Sequence, residues 1–214
     1  MIDVRQLVEN HLVSERKDKE RTHKVFYASE LGYCPLKIFF SITQPRRAEL
    51  RALKVFRVGD LVHEYIQRLL EEQGAQSEVP IRQIVDLTRG IEVHGRIDVL
   101  HEGEPYELKS AGRLPDEPYA HHVAQLNAYL HMLGVERGYL VYFEKNTFDI
   151  AQFTVKRNPH LWEMTLDKIR AVHDAVEAKQ QGDEWLDKLL AYNVGGWECK
   201  YCVYRDICPL AMMR

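Results

Sequence analysis

The chain has 214 residues, which is enough for one substantial α/β domain. Hydrophobic residues make up 45% and charged residues 29% of it, as in ordinary globular proteins, and the net charge of −3 excludes a uniformly basic nucleic-acid binder. It contains no run of about eighteen apolar residues, so a transmembrane helix is excluded as well. The first residues are charged where a signal peptide needs an apolar stretch. We therefore expect a cytoplasmic protein whose four cysteines are thiolate ligands or free thiols.

Hydrophobic periodicity, turn residues and helix caps predict the order of the secondary structure. Predicted helices cover residues 2–13, 29–42, 49–73, 117–133, 159–180 and 184–191, with a charged connection over residues 14–24. Predicted strands cover residues 77–85, 138–144 and 148–155, together with a hairpin over residues 95–109. This order favours a mixed central β-sheet flanked by helices, which is an α/β fold.

The predicted hairpin carries two acids and a lysine that we expect to lie together. Side chains alternate across a strand, so Glu107 and Lys109 share one face and Leu108 points to the other. Asp98 on the neighbouring strand then lies close to Glu107. Carboxylate oxygens are the ligands that hard divalent cations prefer, so the pattern indicates a metal site. The alternative is that both acids are solvated strand residues.

The four cysteines form a second pattern, with three near the end of the sequence and one near its start. Cys199 and Cys202 form a CxxC motif, Cys208 follows them, and Cys34 is the distant fourth. Three thiolates on a short loop with a distant fourth suit a [4Fe–4S] cluster. A structural zinc ion also takes four thiolates, and a CxxC motif alone favours zinc. Either group would clip the two ends of the chain together and so close a long loop.

These motifs, in their order along the chain, resemble those of the PD-(D/E)XK nuclease superfamily. They are GRID at residues 95–98, ELK at residues 107–109 and QLNAY at residues 125–129. With His63 upstream, the set resembles the RecB-like branch of that superfamily. The cysteines add a resemblance to its small iron–sulfur, CRISPR-associated members of the Cas4 type. The resemblance covers essentially the whole chain and favours an iron–sulfur cluster over zinc.

The resemblance implies a restriction-endonuclease-like core with a small helical cap. It predicts a single RecB-like nuclease domain over residues 1–214, with the nuclease core at residues 50–180. Residues 1–49 and 181–214 would together form a helical cap around the [4Fe–4S] cluster held by the four cysteines.

The resemblance also implies a metal-dependent active site. The expected ligands of Mn²⁺ or Mg²⁺ are His63, Asp98, Glu107 and the backbone carbonyl of Leu108. Such metals activate water and neutralise charge in phosphodiester hydrolysis. Lys109 would stand beside the attacking water and the scissile phosphate, either as a base or as a positive charge.

Two residues on the next helix complete the implied site. Gln125 and Tyr129 are one helical turn apart and would contact a phosphate or orient Lys109 and the water. Taken without the neighbouring motifs, they are also consistent with a polar helix face, and His63 is consistent with an ordinary half-buried histidine.

The implied activity is that of a metal-dependent DNA exonuclease acting on ends and single-stranded overhangs. Its expected place is CRISPR adaptation, where it would process prespacers alongside the CRISPR integrase proteins. One alternative is a free-standing phage or DNA-repair exonuclease of the same fold. Another is a DNA-end-binding subunit with weak catalysis, which is disfavoured because Asp98, Glu107 and Lys109 are all present.

Contact with DNA requires a local concentration of positive charge, because the net charge is negative. The densest basic stretch consists of Arg46, Arg47, Arg51, Lys54 and Arg57. It runs into the helix that carries His63, so we expect a basic face that leads to the metal site. The nearby aromatic residues that are candidates to stack on unpaired bases are Tyr33, Phe39, Phe40 and Phe56. The alternative is a solvated helix surface.

Overall fold

The computed structural model describes residues 2–15, 21–192 and 195–212. In chain order its elements are α1 (Val4–Ser14), β1 (Val25–Tyr27), α2 (Pro35–Thr43), α3 (Leu50–Glu71), β2 (Gln76–Asp86), β3 (Ile91–His101), β4 (Glu104–Ala111), α4 (Ala120–Leu133), β5 (Arg137–Glu144), β6 (Ile150–Lys156), α5 (Pro159–Gln181), α6 (Leu186–Leu190) and α7 (Pro209–Met212). Two 3₁₀ turns lie at Ala28–Glu30 and Trp197–Tyr201. None of the described helices is long and apolar enough to cross a membrane.

The centre of the fold is a mixed sheet of six strands, which confirms the predicted α/β class. The strands follow the order β1-β3-β4-β5-β6, and β2 pairs with the other edge of β3. The β1–β3 and β4–β5 pairs are parallel, whereas the β2–β3, β3–β4 and β5–β6 pairs are antiparallel. The hairpin predicted over residues 95–109 is the β3–β4 pair, although β3 begins earlier, at Ile91.

Helices cover both faces of the sheet. Alternate residues of β5 show this directly, because Leu140 and Tyr142 belong to one hydrophobic cluster and Val141 and Phe143 to another. The larger cluster joins the sheet to α2, α4 and α5, and the smaller one joins it to Ile66 of α3. A strand buried on both faces is typical of the middle of such a sheet. This packing fixes α3 and α4 relative to β3 and β4.

One edge of β3 is shared between two partners, and a gap separates them. β1 pairs with Glu92–His94, and β4 pairs only with Val99–His101. In the described part of the chain, residues 95–98 therefore have no strand partner along that edge. Buried backbone groups need hydrogen bonds, so side chains must fill the gap. It is here that the fold brings polar side chains into its interior.

The N-terminal region differs most from the prediction. The helix expected from Ser29 begins instead at Pro35, after a 3₁₀ turn at Ala28–Glu30 and with Cys34 at its N-cap. The carboxylate of Glu30 accepts a hydrogen bond from the Tyr27 amide at 3.0 Å, which stabilises this turn. The short strand β1 was not predicted, and residues 16–20 of the charged connection lie outside the described residues.

The other boundaries agree with the prediction to within a few residues. The helix expected from residue 117 begins at Ala120, because Pro118 disfavours helical backbone at the residue before it. At the other end of that helix, Gly134 takes up a left-handed conformation with φ 72°, which ends the helix at Leu133 as predicted.

Candidate active site

The predicted acids lie together at the gap between β3 and β4. The register pairs Val99 with Tyr106, which sets Asp98 opposite Glu107. Asp98 turns into the gap, where its Oδ2 accepts a hydrogen bond from the Leu108 amide at 2.8 Å. The side chain of Leu108 is fully buried in the smaller cluster, on the side away from Glu107. The alternation predicted for Glu107, Leu108 and Lys109 is therefore present in the structure.

A hydrogen-bonded network joins the acids to α4. Oε1 of Glu107 accepts hydrogen bonds from Lys109 Nζ and from Gln125 Nε2, both at 2.6 Å. Lys109 Nζ also donates to the amide oxygen of Gln125 at 3.0 Å. The Tyr129 hydroxyl accepts a hydrogen bond from Gln125 Nε2 at 3.3 Å and donates one to the Arg96 carbonyl at 3.1 Å. Gln125 and Tyr129 therefore face the site, and the polar-surface alternative does not hold, because both are buried.

The glycine of the GRID motif makes room for this tyrosine. A Cβ atom on Gly95 would lie 2.4 Å from Cε1 of Tyr129, closer than any acceptable contact. Glycine at this position lets the Tyr129 ring pack against β3 and reach the backbone of Arg96.

The histidine comes from α3, on the other side of the gap. His63 Nδ1 lies 3.8 Å from Asp98 Oδ2, and its ring packs edge-on against Phe143 at 5.5 Å between centroids. Gly59, one turn earlier, faces Ser110, whose Oγ would lie 3.1 Å from a Cβ atom there. The small residue lets α3 approach β4 closely, which brings the imidazole to the acids.

Two further polar residues at the site were not predicted. Gln67 of α3 donates to the Asp98 carbonyl at 3.0 Å and to Glu78 at 2.8 Å. Glu78 lies on β2, opposite Asp98 of β3, because the register pairs Ser77 with Val99 and Val79 with Ile97. It has a left-handed backbone with φ 55°, which sequence patterns do not signal for a glutamate. The sequence gives only a weak hint of these two residues, because it shows a polar residue on each of the two elements that precede the GRID strand.

Two histidines of α4 also lie within electrostatic range of Lys109. Burial and the Lys109 charge lower the pKa of His121 to about 4 and that of His122 to about 2, so both are neutral near pH 7. His122 contacts the Tyr142 hydroxyl at 2.9 Å. The two imidazoles near Lys109 therefore add no charge to the site.

The charges of the network shift one another. Burial raises the pKa of Asp98 to about 6, although Lys109 and the Leu108 amide oppose the shift. Burial, with a contribution from Asp98, raises the pKa of Glu107 to about 7. Burial would lower the pKa of Lys109, but the charges of Glu107 and Asp98 outweigh it and the net shift is upward. Burial and Lys109 lower the pKa of His63, which keeps its imidazole neutral.

This donor set fits a divalent cation. Oε2 of Glu107 is buried and makes no hydrogen bond, so one carboxylate oxygen is left for another partner. The site offers two carboxylates, whose pKa values burial raises, and one neutral imidazole. These are groups that Mn²⁺ or Mg²⁺ would bind. Among the described residues, the ligand atoms of His63, Asp98 and Glu107 do not all lie within 4.8 Å of one another. A cation would therefore draw Glu107 towards the other two ligands.

A groove lined by arginines adjoins the site. Its volume is about 1250 Å³, and its lining includes Asp60 of α3 and Arg96, which is two residues before Asp98 on β3. The arginines that line it are Arg21, Arg46, Arg47, Arg57 and Arg96. Phe56, which is 58% exposed, adds an aromatic surface to the groove. Four of these arginines pair with acids, namely Arg21 with Glu30, Arg46 with Asp206, Arg57 with Glu64 and Arg96 with Glu78, so their positive charge is partly compensated.

The predicted basic stretch is only partly on this groove. Arg51 and Lys54 are not among its lining residues, and Lys54 donates to Glu9 of α1 at 2.6 Å. Lys54 and His63 are nine residues apart on α3, which is about 180° around the helix, so they do not share a face. The aromatic prediction also needs correction, because Phe39 and Phe40 are buried in the larger cluster and cannot reach a base.

The four cysteines line a single cavity of about 580 Å³ between α2 and the C-terminal segment. The Cys34 amide donates to Glu198 at 2.9 Å, which ties the two parts of the chain together. No three of the four sulfur atoms lie within 4.8 Å of one another. Sulfur atoms around a tetrahedral zinc ion would be about 3.8 Å apart, so the cavity is more open than a zinc site. Three cations also line it, namely Lys37, Lys200 and Arg205.

Comparison with known proteins assigns the chain to a family. A model of the PD-(D/E)XK nuclease superfamily matches residues 57–209, which contain the whole acid, lysine and glutamine network. The chain belongs to this superfamily. It is therefore a nuclease, and nucleases of the PD-(D/E)XK superfamily use divalent metal ions.

Similar proteins extend over the full length of this nuclease. It is 25% identical over 218 residues to the CRISPR-associated exonuclease Cas4 of Saccharolobus solfataricus, an alignment that covers 95% of this chain and 98% of the relative. The crystal structure of SSO0001 matches with a TM-score of 0.71 and 21% identity, covering 97% of this chain and 96% of that one. The alkaline exonuclease LHK-Exo of Laribacter hongkongensis matches with a TM-score of 0.49 and 12% identity, covering 78% of this chain and 94% of that one. The predicted resemblance to Cas4-type PD-(D/E)XK nucleases is confirmed.

The raised pKa of Asp98 predicts that this side chain destabilises the metal-free nuclease above pH 6. Its ordinary value is 3.8, so the penalty for the buried charge is absent below about pH 4 and complete above about pH 6. Asp98→Asn removes the charge and keeps an oxygen for the Leu108 amide. In excess EDTA at pH 8 we expect this variant to unfold with a free energy about 1–3 kcal/mol higher than that of the unmodified chain, and urea denaturation measures the difference.

The difference should largely disappear at pH 4.5, where Asp98 is mostly protonated in the folded chain. The matched control is Asp116→Asn, a change of the same kind at an exposed residue of the loop after β4, which should alter stability at neither pH. A variant Asp98→Asn that is less stable than the unmodified chain at pH 8 contradicts the assignment of a strained carboxylate.

Proposed function

We propose that this nuclease is a metal-dependent DNA exonuclease. Its active-site residues would be Asp98, Glu107 and Lys109. The observation that carries the proposal is the convergence of these side chains with His63 at the gap between β3 and β4. A charged network of this kind is costly to bury, and Arg96, two residues before Asp98 on β3, belongs to the lining of the arginine-lined groove.

The proposed cation ligands are His63, Asp98, Glu107 and the carbonyl of Leu108. A divalent cation bound there would supply positive charge to the phosphate and lower the pKa of a bound water. Asp98 is held in place by the Leu108 amide, and its carbonyl by Gln67. Glu107 keeps one free oxygen in the buried site. The chain thus supplies a fixed carboxylate at Asp98 and an unpaired carboxylate oxygen at Glu107, and groups held in place before the reaction are what electrostatic catalysis requires.

Lys109 acts in this proposal as a positive charge and not as a base. The upward shift of its pKa, caused by Glu107 and Asp98, keeps its ammonium group protonated at neutral pH. Gln125 fixes the ammonium position by accepting one of its hydrogen bonds, and Tyr129 holds Gln125. The ammonium then stabilises the negative charge that develops on the phosphate oxygens during attack by water.

The proposed substrates are DNA ends and single-stranded overhangs. The exposed ring of Phe56 in the groove supports single strands, because an unpaired base can stack on it. The full-length similarity to a relative described as a CRISPR-associated exonuclease supports action on ends and a role in CRISPR adaptation. In that role the nuclease would trim prespacers before the integrase proteins use them.

We also propose a [4Fe–4S] cluster on Cys34, Cys199, Cys202 and Cys208. Their shared cavity supports the proposal, because it brings the four cysteines together from the two ends of the described chain. The cluster would be structural and would join the N-terminal and C-terminal parts of a cap. Contacts between α2 and the C-terminal segment support such a cap, including the tilted contact of the Phe40 and Tyr204 rings, whose centroids are 5.8 Å apart.

Replacement of the central charges should abolish cleavage. We expect Asp98→Ala and Lys109→Ala to lower the rate of hydrolysis by at least about 10³-fold, while DNA binding in EDTA changes by less than threefold. The assay uses end-labelled single strands, duplexes with overhangs and closed circles, with Mn²⁺ or without added metal. The matched controls are Asp116→Ala and Lys156→Ala, which remove exposed charges away from the network.

A variant at Asp98 or Lys109 that retains cleavage would place the chemistry elsewhere. Cleavage of closed circles at the rate of linear strands would contradict the exonuclease assignment but leave the nuclease site intact.

The groove makes a separate prediction about salt. The double change Arg47→Ala with Arg57→Ala should weaken binding of single strands in EDTA and should make the plot of log K against log salt concentration less steep by about 1. Arg57 also pairs with exposed Glu64 at 3.0 Å, so its contribution is smaller than that of a free cation. Arg51→Ala, on the same helix but away from the groove, is the control and should leave the slope unchanged. Equal slopes for the double variant and the unmodified chain exclude this path for DNA.

The cysteine assignment predicts a coloured protein. Nuclease purified without oxygen should be brown and contain about four iron atoms per chain. Cys202→Ala should lose both the colour and much of the solubility. A colourless, folded preparation of the unmodified chain that contains zinc would overturn the iron–sulfur assignment.

A further inference from the structure

Away from the active site and the cysteine cavity, two histidines and a glutamate form a compact cluster between α5 and the segment that precedes β1. His173 and Glu177 are one helical turn apart, and His23 lies just before β1. Nε2 of His23 is 3.6 Å and Nε2 of His173 is 3.7 Å from Oε1 of Glu177. The three ligand atoms all lie within 4.8 Å of one another, a property shared by no other group of histidine, cysteine or carboxylate side chains in the described residues.

The hydrogen bonds of these histidines are incomplete. Nε2 of His23 and Nε2 of His173 are both buried and have no hydrogen-bond partner. The side chain of His173 is only 3% exposed. Distances of 3.6 and 3.7 Å to the glutamate are too long for hydrogen bonds, and buried polar atoms rarely remain without a partner. Two orphaned nitrogen atoms that face the same carboxylate point to a missing shared partner.

The opposite side of the His173 ring is already fixed. Its Nδ1 lies 3.1 Å from Oδ1 of Asp174, and a carboxylate only accepts, so Nδ1 carries the proton. Arg89 in turn holds Asp174 through two hydrogen bonds, at 2.9 and 3.1 Å. Nε2 of His173 therefore presents its lone pair to the cluster. A carboxylate behind a histidine is the usual support of a metal ligand.

We propose that His23, His173 and Glu177 form a structural zinc site. Two imidazoles and one carboxylate suit Zn²⁺, whereas Mg²⁺ prefers oxygen ligands only. Ligand atoms around zinc would be about 3.4 Å apart, so the cluster needs only a small contraction to bind it. Glu177 is 45% exposed, which leaves a path for the ion to enter from solvent and a side on which water completes the coordination.

The site would add a bond between two parts of the fold that already pack together in the larger hydrophobic cluster, through Phe26 of β1 and Val172 of α5. His23 belongs to the segment that leads into β1, a strand of three residues at the edge of the sheet. α5 is a long helix in the main hydrophobic cluster. A zinc ion shared between them would hold the edge strand against the body of the nuclease.

The experiment measures zinc in the whole nuclease, purified without oxygen and kept in excess Mg²⁺ so that the oxygen-rich active site is occupied. We expect Glu177→Gln to bind about one zinc equivalent fewer than the unmodified chain and to weaken zinc affinity by more than about 100-fold. Zinc should raise the melting temperature of the unmodified chain and not that of the variant. Zinc K-edge absorption should show nitrogen and oxygen ligands at about 2.0–2.1 Å and no sulfur at about 2.3 Å.

His131→Gln is the matched control, because Nε2 of His131 is also buried without a hydrogen-bond partner but lies outside the cluster. It should bind as much zinc as the unmodified chain. Glu177 is partly exposed, so its variant tests the site even if a change at His173 prevents folding. Equal zinc binding in Glu177→Gln and the unmodified chain would overturn the proposal, and so would sulfur in the zinc spectrum or an equal loss in the control.

Discussion

The early separation of β4 from β3 is the constraint on which the rest of the structure depends. Two backbone groups at the gap, the Arg96 carbonyl and the Leu108 amide, find their partners in side chains. One partner is the hydroxyl of Tyr129 and the other is the carboxylate of Asp98. Because buried backbone groups need hydrogen-bond partners, these side chains take the place of the missing strand partner. The same acid that completes the sheet is thereby held beside Glu107.

This arrangement lowers the free energy of unfolding, because it buries charged groups. Asp98, Glu107 and Lys109 share a small, poorly solvated space, and burial raises the pKa of both acids. Their charges are compensated by one ammonium group and by hydrogen bonds, with one oxygen of Glu107 left unsatisfied. Sites that are strained in this way commonly trade stability for function. A bound cation would offset the cost of burying these charges.

Much of this site follows from the sequence, and the reasons for the exceptions are physical. The alternation of Glu107, Leu108 and Lys109 fixes their faces because a strand has a period of two. The register that brings Asp98 opposite Glu107 follows from the short turn at residues 102–103. The positions of Glu78 and Gln67 do not follow, because a left-handed glutamate and an amide that reaches across from α3 depend on tertiary packing.

The same distinction explains the errors nearer the N-terminus. Phe39 and Phe40 were candidates for base stacking, but a nine-residue helix with an apolar sequence is buried by its neighbours. β1 is three residues long, too short to show a periodic pattern. The basic stretch has the right composition, yet helix geometry directs Lys54 away from His63. Composition alone cannot specify which side of a helix meets the groove.

The cysteine cavity and the arginine-lined groove are not independent. Tyr204 lines both of them, and its ring lies beside Phe40 of α2 and within 5.3 Å of the Arg46 guanidinium. Arg46, which also lines the groove, pairs with Asp206 at 2.7 Å, between Cys202 and Cys208. The segment that carries three of the cysteines therefore forms part of the groove wall. A group that holds this segment in place would also hold this part of the groove wall, whereas Asp98, Glu107 and Lys109 lie on other elements, β3 and β4.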